Sequence, residues 1–456
     1  MSLLQYHLQY LMTKLVKPKS CLKSLLQVEI PWTSSYSCEV TLLDGCALLW
    51  NVSWPAKGTV RDFVNKFVSS LRKFLESSDT YLVFDRYKDN SIKSVTRKAR
   101  SGQASQQNFN LSLSTALPSQ KSILNNTNNK IQLISLICNY IQDQPSLLAK
   151  SKKKLIVTGM DPTPFEICKG LIIQRGDLQN MHEEADVILV NQAVHAAKIG
   201  VSGVKVIADE TDIFVLLLHF YLQENLSCDF VMASTSSRKL IDIKETVAKH
   251  KNVISNIVSA HALSGCDTVS GFYGIGKSTV FKVLKAGKQL KLLGDSDTPL
   301  TCLYNESARF LSSCYGYPDE ENMETLRFRV WSNKMANSKL NSAPQLKILP
   351  PTQSVFELHV ARAHLQAAIW KGSLKQSPPD LDPLSHGWSN GPEHIGMVPL
   401  AIPYSVSPVP EEILKMIKCG CSSMSRCSSM RCSCSSARLS CSLFCSCHAD
   451  ESCINK

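Results

Sequence analysis

No stretch of the chain reaches the roughly 18 consecutive apolar residues that a membrane-spanning helix needs, so none of these 456 residues reads as a helical membrane span. The opening MSLLQYHLQYLMTKLVKPK lacks an early basic region and a small-residue cleavage site, so a secretory signal is not expected. A nucleotide-binding phosphate loop is also missing, because GFYGIGKS does not have the G-x-x-x-x-G-K-S/T spacing. No Ser-His-Asp arrangement suggests acyl transfer. Acidic residues are in the minority, 38 against 50 Lys and Arg, and the formal net charge of +12 points to a polyanionic partner rather than a basic one. Hydrophobic residues make up 44% of the chain, enough for a substantial core, and the length suggests two or three domains.

Cysteine is unevenly placed. Nine of the 18 lie between Cys419 and Cys453, and the other nine stand singly among apolar neighbours from Cys21 to Cys314. Scattered single cysteines behave as small core residues in a reducing compartment. The dense tail is a different object, with the spacing C-x-C-x5-C-x4-C-x-C-x6-C-x3-C-x-C-x5-C.

Between these regions the chain alternates strands and helices. Strand patterns occur at 39–44, 80–85, 152–161, 203–208 and 228–234, and helical patterns at 59–76, 131–148 and 181–200. Such alternation predicts an α/β fold with a twisted, mainly parallel sheet covered by helices on both faces. Residues 101–130 are rich in Ser, Gln and Asn with little periodicity and predict a long loop or cap. Residues 300–415 lose the alternation. A helix is expected at 355–371, and the Pro- and Ser-rich stretch 376–410 suits an extended linker or surface wrap.

The acids stand where this pattern concentrates chemistry. Asp44, Asp85, Glu183, Glu184, Asp186, Asp209, Glu210, Asp212 and Asp267 all fall at strand ends or helix starts. In parallel sheets, ligands sit outside the carboxyl ends of the strands. Taken singly, each acid reads as a helix cap, a turn former or a residue placed by the helix dipole. Gathered on one edge they would repel, and each would resist ionisation unless cations neutralised the group. Hard divalent ions, Mg²⁺ or Mn²⁺, suit oxygen donors. Two of them roughly 3.5–4 Å apart can clamp the attacking and leaving oxygens of a phosphodiester. The stretch 260–284 adds Gly274-Ile275-Gly276-Lys277 ahead of an apolar helical run, and a helix N-terminus attracts phosphate. An ordinary helix hairpin with a tight glycine turn is the competing reading.

The pieces LLDGCALL, VFDRYKDNSIKSVTRKAR, EEAD, ADETD and SGCDTVSGFYGIGKSTVFKVL, in this order over about residues 38–290, resemble the flap-endonuclease branch of the PIN-like nuclease superfamily. The resemblance implies a metal site built from Asp44, Asp85, Glu184, Asp186, Glu210, Asp212 and Asp267, with Asp209 competing for the place of Glu210. It implies that Lys93 and Arg100, with Arg97 as a third candidate, grip the scissile phosphate. It also implies a helix–two-turn–helix at 257–289 in which Gly274, Gly276, Lys277 and Ser278 hold duplex DNA with a K⁺ ion. A divergent segment, 1–37, precedes the nuclease-like domain 38–299, which is followed by a helical extension at 300–375, a linker at 376–415 and the cysteine module at 416–456. The family's Met-Gly-Ile type of start is absent, and the stretch 101–130 replaces its basic helical arch, which bears on threading of a single strand.

Thiolates at the density of the tail favour Zn²⁺. Cys419, Cys421, Cys427, Cys432, Cys434, Cys441, Cys445, Cys447 and Cys453 would serve three tetrahedral ions if three thiolates bridge. The spacing resembles the CXC modules of the tesmin and pre-SET kinds, several of which bind DNA or belong to chromatin proteins. A disulfide framework is the weaker reading, because the odd count leaves one thiol over. His448 is a further ligand candidate, and Arg426, Arg431 and Arg438 interleave with the cysteines, facing phosphate or solvent. His359, Arg362 and His364 are expected on a solvated face, and Trp370 in the core. Lys152-Lys153-Lys154 reads either as a nuclear-import signal or as a charged run entering a strand. The expected function is a metal-dependent, structure-selective nuclease acting on DNA or RNA, nuclear and in contact with chromatin. The rival is a nucleic-acid-binding protein on the same scaffold without turnover.

Overall fold

A computed structural model describes residues 20–31, 38–88, 91–94, 96–97, 107–148, 151–235, 239–337, 348–391, 396–401, 418–421, 427, 431–436, 440–441, 445–449 and 453–455. The chain divides into two compact units, 1–400 and 401–456. Among the described residues no helix is long and apolar enough to cross a membrane.

The first unit begins with α1 (Ser20–Leu26) and β1 (Glu29–Ile30), then β2 (Val40–Asp44), α2 (Gly45–Asn51), α3 (Val60–Leu75) and β3 (Asp79–Val83). Next come α4 (Gln120–Leu124), α5 (Thr127–Asp143), β4 (Leu155–Thr158) and the hairpin β5 (Phe165–Cys168) to β6 (Leu171–Gln174). The alternation continues through α6 (Ala185–Lys198), β7 (Gly203–Ile207), α7 (Thr211–Gln223), β8 (Asp229–Ala233), β9 (Leu240–Asp242) and α8 (Ile243–Ile254). The helical remainder is α9 (Ile257–Leu263), α10 (Lys277–Lys285), α11 (Leu300–Cys314), α12 (Met323–Asn337) and α13 (Gln353–Lys371), closed by the hairpin β10 (Trp388–Asn390) and β11 (Met397–Pro399).

One sheet carries nine strands in the order β1-β9-β8-β7-β2-β3-β4-β5-β6. Its five central strands, β8, β7, β2, β3 and β4, run parallel, and antiparallel strands finish both margins. The expected α/β class with a mainly parallel sheet is what the chain forms. The β5–β6 hairpin and the short outer strands β1 and β9 go beyond the expected alternation.

Both faces of the central strands are buried, as parallel strands require. Val40 and Leu42 of β2 point into one core with α6, α7 and α9, while Leu43 points into the other with α3 and α5. Helix α3 shows how the sequence builds this. A Thr59–Asp62 capping box starts it, and Phe63, Val64, Phe67, Val68, Leu71 and Leu75 return at helical spacing to cover the sheet.

Three expectations change. The described part of 101–130 is not a loose cap, because its amide side chains act as backbone partners. Asn129 Oδ1 accepts the N–H of Phe109, its Nδ2 donates to Gln107 O and Ser122 O, and Gln132 clasps Phe109 O and Leu111 N. A composition typical of loose loops is thus compatible with order when each amide finds a buried main-chain group. The face of α13 expected in solvent is buried, since His359 Nε2 meets Leu263 O at 2.7 Å, Arg362 donates to Gly387 O, and His364 Nδ1 accepts from Gly294 N. Trp370 is fully buried. Of the stretch expected as a linker, Pro383–His386 packs on this helix, and the first unit extends to Leu400.

Gly45 joins β2 to α2 directly behind Asp44. A Cβ there would lie 2.5 Å from the Phe84 ring and 2.9 Å from Val83 O. Gly45→Ala is expected to lower stability by about 1–3 kcal/mol through overpacking, measured as a shift in the urea midpoint with unchanged slope. A neutral result would mean that Phe84 can retreat.

Candidate active site

The parallel strands deliver the acids to one edge. Asp44 ends β2 and caps α2, its Oδ1 accepting Ala47 N–H at 3.0 Å. Asp85 follows β3, and its Oδ1 accepts the Ala185 N–H at the start of α6, 2.9 Å away. Glu184 caps α6 and Asp186 lies in its first turn; Glu210 and Asp212 repeat that arrangement at α7. A carboxylate at a helix N-terminus is favoured by unpaired N–H groups and by the dipole, so four of these positions have a local reason as well as a functional one.

Cations draw the group together. Lys93 Nζ stands 3.0 Å from Glu184 Oε2 and 4.0 Å from Asp186 Oδ2. Burial works against its charge, but Glu184, Asp186, Asp267 and Asp85 outweigh that and raise its pKa well above the ordinary value. One ammonium therefore reports four carboxylates from three separate places in the chain. Arg97 pairs with Glu183 at 2.6 Å. Thr96 donates to the carbonyl of Asp267 at 2.7 Å, tying the turn after Asp85 to the glycine-rich segment.

The carboxyls respond to this environment. Burial, reinforced by the charges of Asp85 and Glu210, pushes Asp44 up to about 6. Burial also raises Glu184, while Lys93 opposes it. Asp186 is raised well above the usual range by burial, and Glu210, Asp212 and Glu184 add to the effect. Asp85 goes the other way: burial disfavours its charge, but Lys130, Lys93 and the Ala185 N–H overcome that and hold it low.

Not every expected residue joins. Asp209 is exposed and turns toward the end of β8, where Ser234 Oγ donates to it at 2.6 Å and Thr235 binds through N–H and hydroxyl. Glu210 is thus the partner of Asp212, because the first acid of ADETD is consumed as a turn former. Arg100 lies outside the described residues. Lys277 is not free for DNA: its Nζ donates to His261 O (2.7 Å), Ser264 Oγ (2.8 Å) and Gly265 O (2.6 Å). Gly274 occupies the left-handed region at φ +78°, and Gly276 caps α10, which Lys277 and Ser278 begin.

Other contributors have no motif of their own. Arg86, next to Asp85, is buried and donates to carbonyls of Gly159, Asp161, Pro162, Asn180 and His182. Its own N–H reaches Glu183 O at 2.8 Å. The guanidinium thus holds the loop that carries Glu183 and Glu184. His261 Nε2 lies 2.8 Å from Asp212 Oδ1, and the ring stacks on Trp370. Burial, with the charge of Lys277 adding to it, lowers the His261 pKa, while the contact with Asp212 opposes that shift. Cys46 and Tyr87 both touch Asp85 Oδ2, at 3.5 and 3.4 Å. Tyr87 had a positional signal, two residues after Asp85; His261, on a helix behind the glycine loop, had none.

The donor set fits a hard divalent ion. It is all oxygen, largely buried, and carries more negative charge than Lys93 neutralises. Among the described residues, ligand atoms of three or more groups approach within 4.8 Å of one another only in the cysteine tail. The carboxylates are gathered around Lys93 rather than closed on a point.

In the second unit, Cys419, Cys427, Cys432, Cys434, Cys441, Cys445, Cys447 and Cys453 are buried together, with Cys421 packed beside them. All nine are free thiols. Three sets fit a metal: Cys419-Cys421-Cys427-Cys432, Cys419-Cys434-Cys441-Cys445 and Cys419-Cys427-Cys441-Cys447. Cys453 Sγ is 3.8 Å from Cys447 Sγ. His448 is exposed and stands in none of these sets. Arg426 and Arg438 lie outside the described residues.

No protein-family model matches the chain, and no curated protein does. Among solved structures, it is similar to the catalytic core of Rad2 in complex with a DNA substrate, at 12% identity and TM-score 0.37, covering 77% of this chain and 94% of that one. It is also similar to T5 5′-exonuclease with bound divalent zinc ions, at 12% identity and TM-score 0.30, covering 74% of this chain and 98% of that one.

The raised Asp44 carboxyl has a measurable consequence. The native state holds its proton more tightly than the unfolded chain between about pH 4 and 6, so this group lowers metal-free stability as pH rises through that window, by at most about 3 kcal/mol. Asp44→Asn keeps a side-chain acceptor for Ala47 N–H. In chelator at pH 7 it should raise the urea midpoint. A lower midpoint in chelator would contradict the burial account.

Proposed function

We propose that the chain is a divalent-metal-dependent nuclease that hydrolyses phosphodiester bonds in structured DNA, with RNA as the rival substrate. The observation that carries this reading is the convergence of Asp85, Glu184, Asp186 and Asp267 on the ammonium of Lys93. Asp44, Glu210 and Asp212 share the same field. Mg²⁺ or Mn²⁺ bound by these carboxylates would supply Lewis-acid activation of water and charge relief at the leaving oxygen.

The chain's own groups prepare that chemistry. Asp44 and Asp186, protonated more readily than ordinary carboxyls, give up protons as ions bind. His261 keeps Asp212 oriented, as an outer hydrogen bond does for a ligating carboxylate. Lys93 stands beside the carboxylates that would hold ions, and freed from Glu184 it would be placed to meet a phosphate oxygen. Lys277 fixes the Gly265 segment that presents Asp267, rather than reaching for the backbone of DNA.

We further propose that the second unit is a CXC-like zinc module that adds nucleic-acid or chromatin affinity. Cys419 belongs to all three four-cysteine sets, and Cys427 and Cys441 to two each, which suits thiolates shared between ions. A binding protein without turnover is the second reading. The ion pairs of Lys93 and Arg97 and the internal use of Lys277 favour it, since each already commits a cation to the protein.

Incubation with flap, hairpin, bubble and single-stranded substrates distinguishes the two. Cleavage should require Mn²⁺ or Mg²⁺, vanish in chelator, and fall by at least about a hundredfold in Asp85→Ala and Asp212→Ala. Activity persisting in both variants would reject this mechanism, and retained binding without cleavage in the parent would select the second reading. Full-length protein purified without chelator should release about three zinc ions when its thiols are titrated with a mercurial. Because thiolates must be unprotonated to bind metal, release should also occur as pH falls. Absence of zinc, or formation of disulfides in its place, would overturn the module.

A further inference from the structure

The stretch 101–130, expected as a long loop or cap, ends in a lysine that lies beside the site. Lys130 lies in the first turn of α5, and its ammonium stands 5.4 Å from the centre of the Tyr87 ring. The guanidinium of Arg97 is 4.9 Å from the same ring. Tyr87 in turn places its hydroxyl 3.4 Å from Asp85 Oδ2 and 3.9 Å from Cys46 Sγ. The charge of Lys130 is felt by Asp85, Asp44 and Cys46.

We propose that Lys130 is a further phosphate-binding residue of this site, brought from α5 into the cluster of Tyr87, Cys46 and Asp85. The inference rests on the nuclease reading and extends it to a residue outside the segment after Asp85. Lys93 and Arg97 are committed to Glu184 and Glu183. Among the described residues Lys130 closes no comparable ion pair. It stands over an aromatic face and in the field of Asp85 and Asp44. Such an ammonium is restrained in place yet keeps donors for an anion. Once Asp44 and Asp85 are occupied by divalent ions, the net field on Lys130 is no longer attractive, and an arriving phosphate becomes its best partner.

The test uses the full chain with Lys130→Gln and Lys130→Arg, and a duplex DNA bearing a single-stranded flap. Mn²⁺ binding without DNA is followed by electron paramagnetic resonance, DNA affinity across a salt series, and cleavage in a single turnover. Lys130→Gln should bind Mn²⁺ at least as tightly as the parent, because a competing cation has gone. Its DNA affinity should fall, the slope of log affinity against log salt should shrink by about 0.7–0.9, one phosphate contact, and cleavage should slow roughly tenfold to a hundredfold. Lys130→Arg should restore the slope. An unchanged salt slope in Lys130→Gln would overturn the inference, as would Mn²⁺ binding weakened in proportion to cleavage, which marks a merely structural counter-ion. A parent that binds DNA but neither Mn²⁺ nor cleaves would defeat the nuclease reading, whereas the salt slope still decides the phosphate contact of Lys130.

Discussion

Like charge brought together at the carboxyl edge of a parallel sheet is the constraint around which the first unit is organised. Asp44, Asp85, Glu184, Asp186, Glu210, Asp212 and Asp267 come from strand ends, helix starts and a glycine-rich turn that are far apart in the chain. Left alone in a medium of low dielectric they would expel one another or take up protons. Lys93, Arg97 and Lys130 moderate that repulsion. The split response of the carboxyls, Asp85 held low while Asp44 and Asp186 rise, shows where the positive charge falls short.

Much of the surrounding structure keeps this arrangement in register. Arg86 gathers the carbonyls of two loops and so places Glu183 and Glu184. Lys277 binds the end of α9 and the Gly265 turn together. His261 links that helix to Asp212, and Trp370 of α13 backs the imidazole. The helices after residue 300 therefore belong to the same core as the sheet, and one of them reaches the second layer of the site.

The two units divide donor chemistry. The sheet edge offers hard oxygen donors, suited to ions that exchange and keep water. The tail offers sulfur alone, suited to a borderline ion held for structure. Free thiols at 3.5–3.9 Å from one another, as in Cys434–Cys445 and Cys419–Cys427, pack without disulfide bonds.

By itself, the sequence determined the α/β class, the parallel centre of the sheet and the acids that mark its carboxyl edge. Period-two and helical spacing, and acids placed where strands end, are local signals and survive in one dimension. It did not determine which acid of ADETD turns inward, because Asp209 and Glu210 differ only in whether Ser234 and Thr235, just after the next strand, are there to donate hydrogen bonds to one of them. It did not show that an amide-rich stretch packs, that α13 is buried on the side bearing His359 and Arg362, or that Lys277 is used internally while Lys130 is presented to the site. Each of these depends on a partner supplied by a distant segment. The availability of a charge or a hydrogen bond is a property of the folded neighbourhood, and only the tertiary structure decides it.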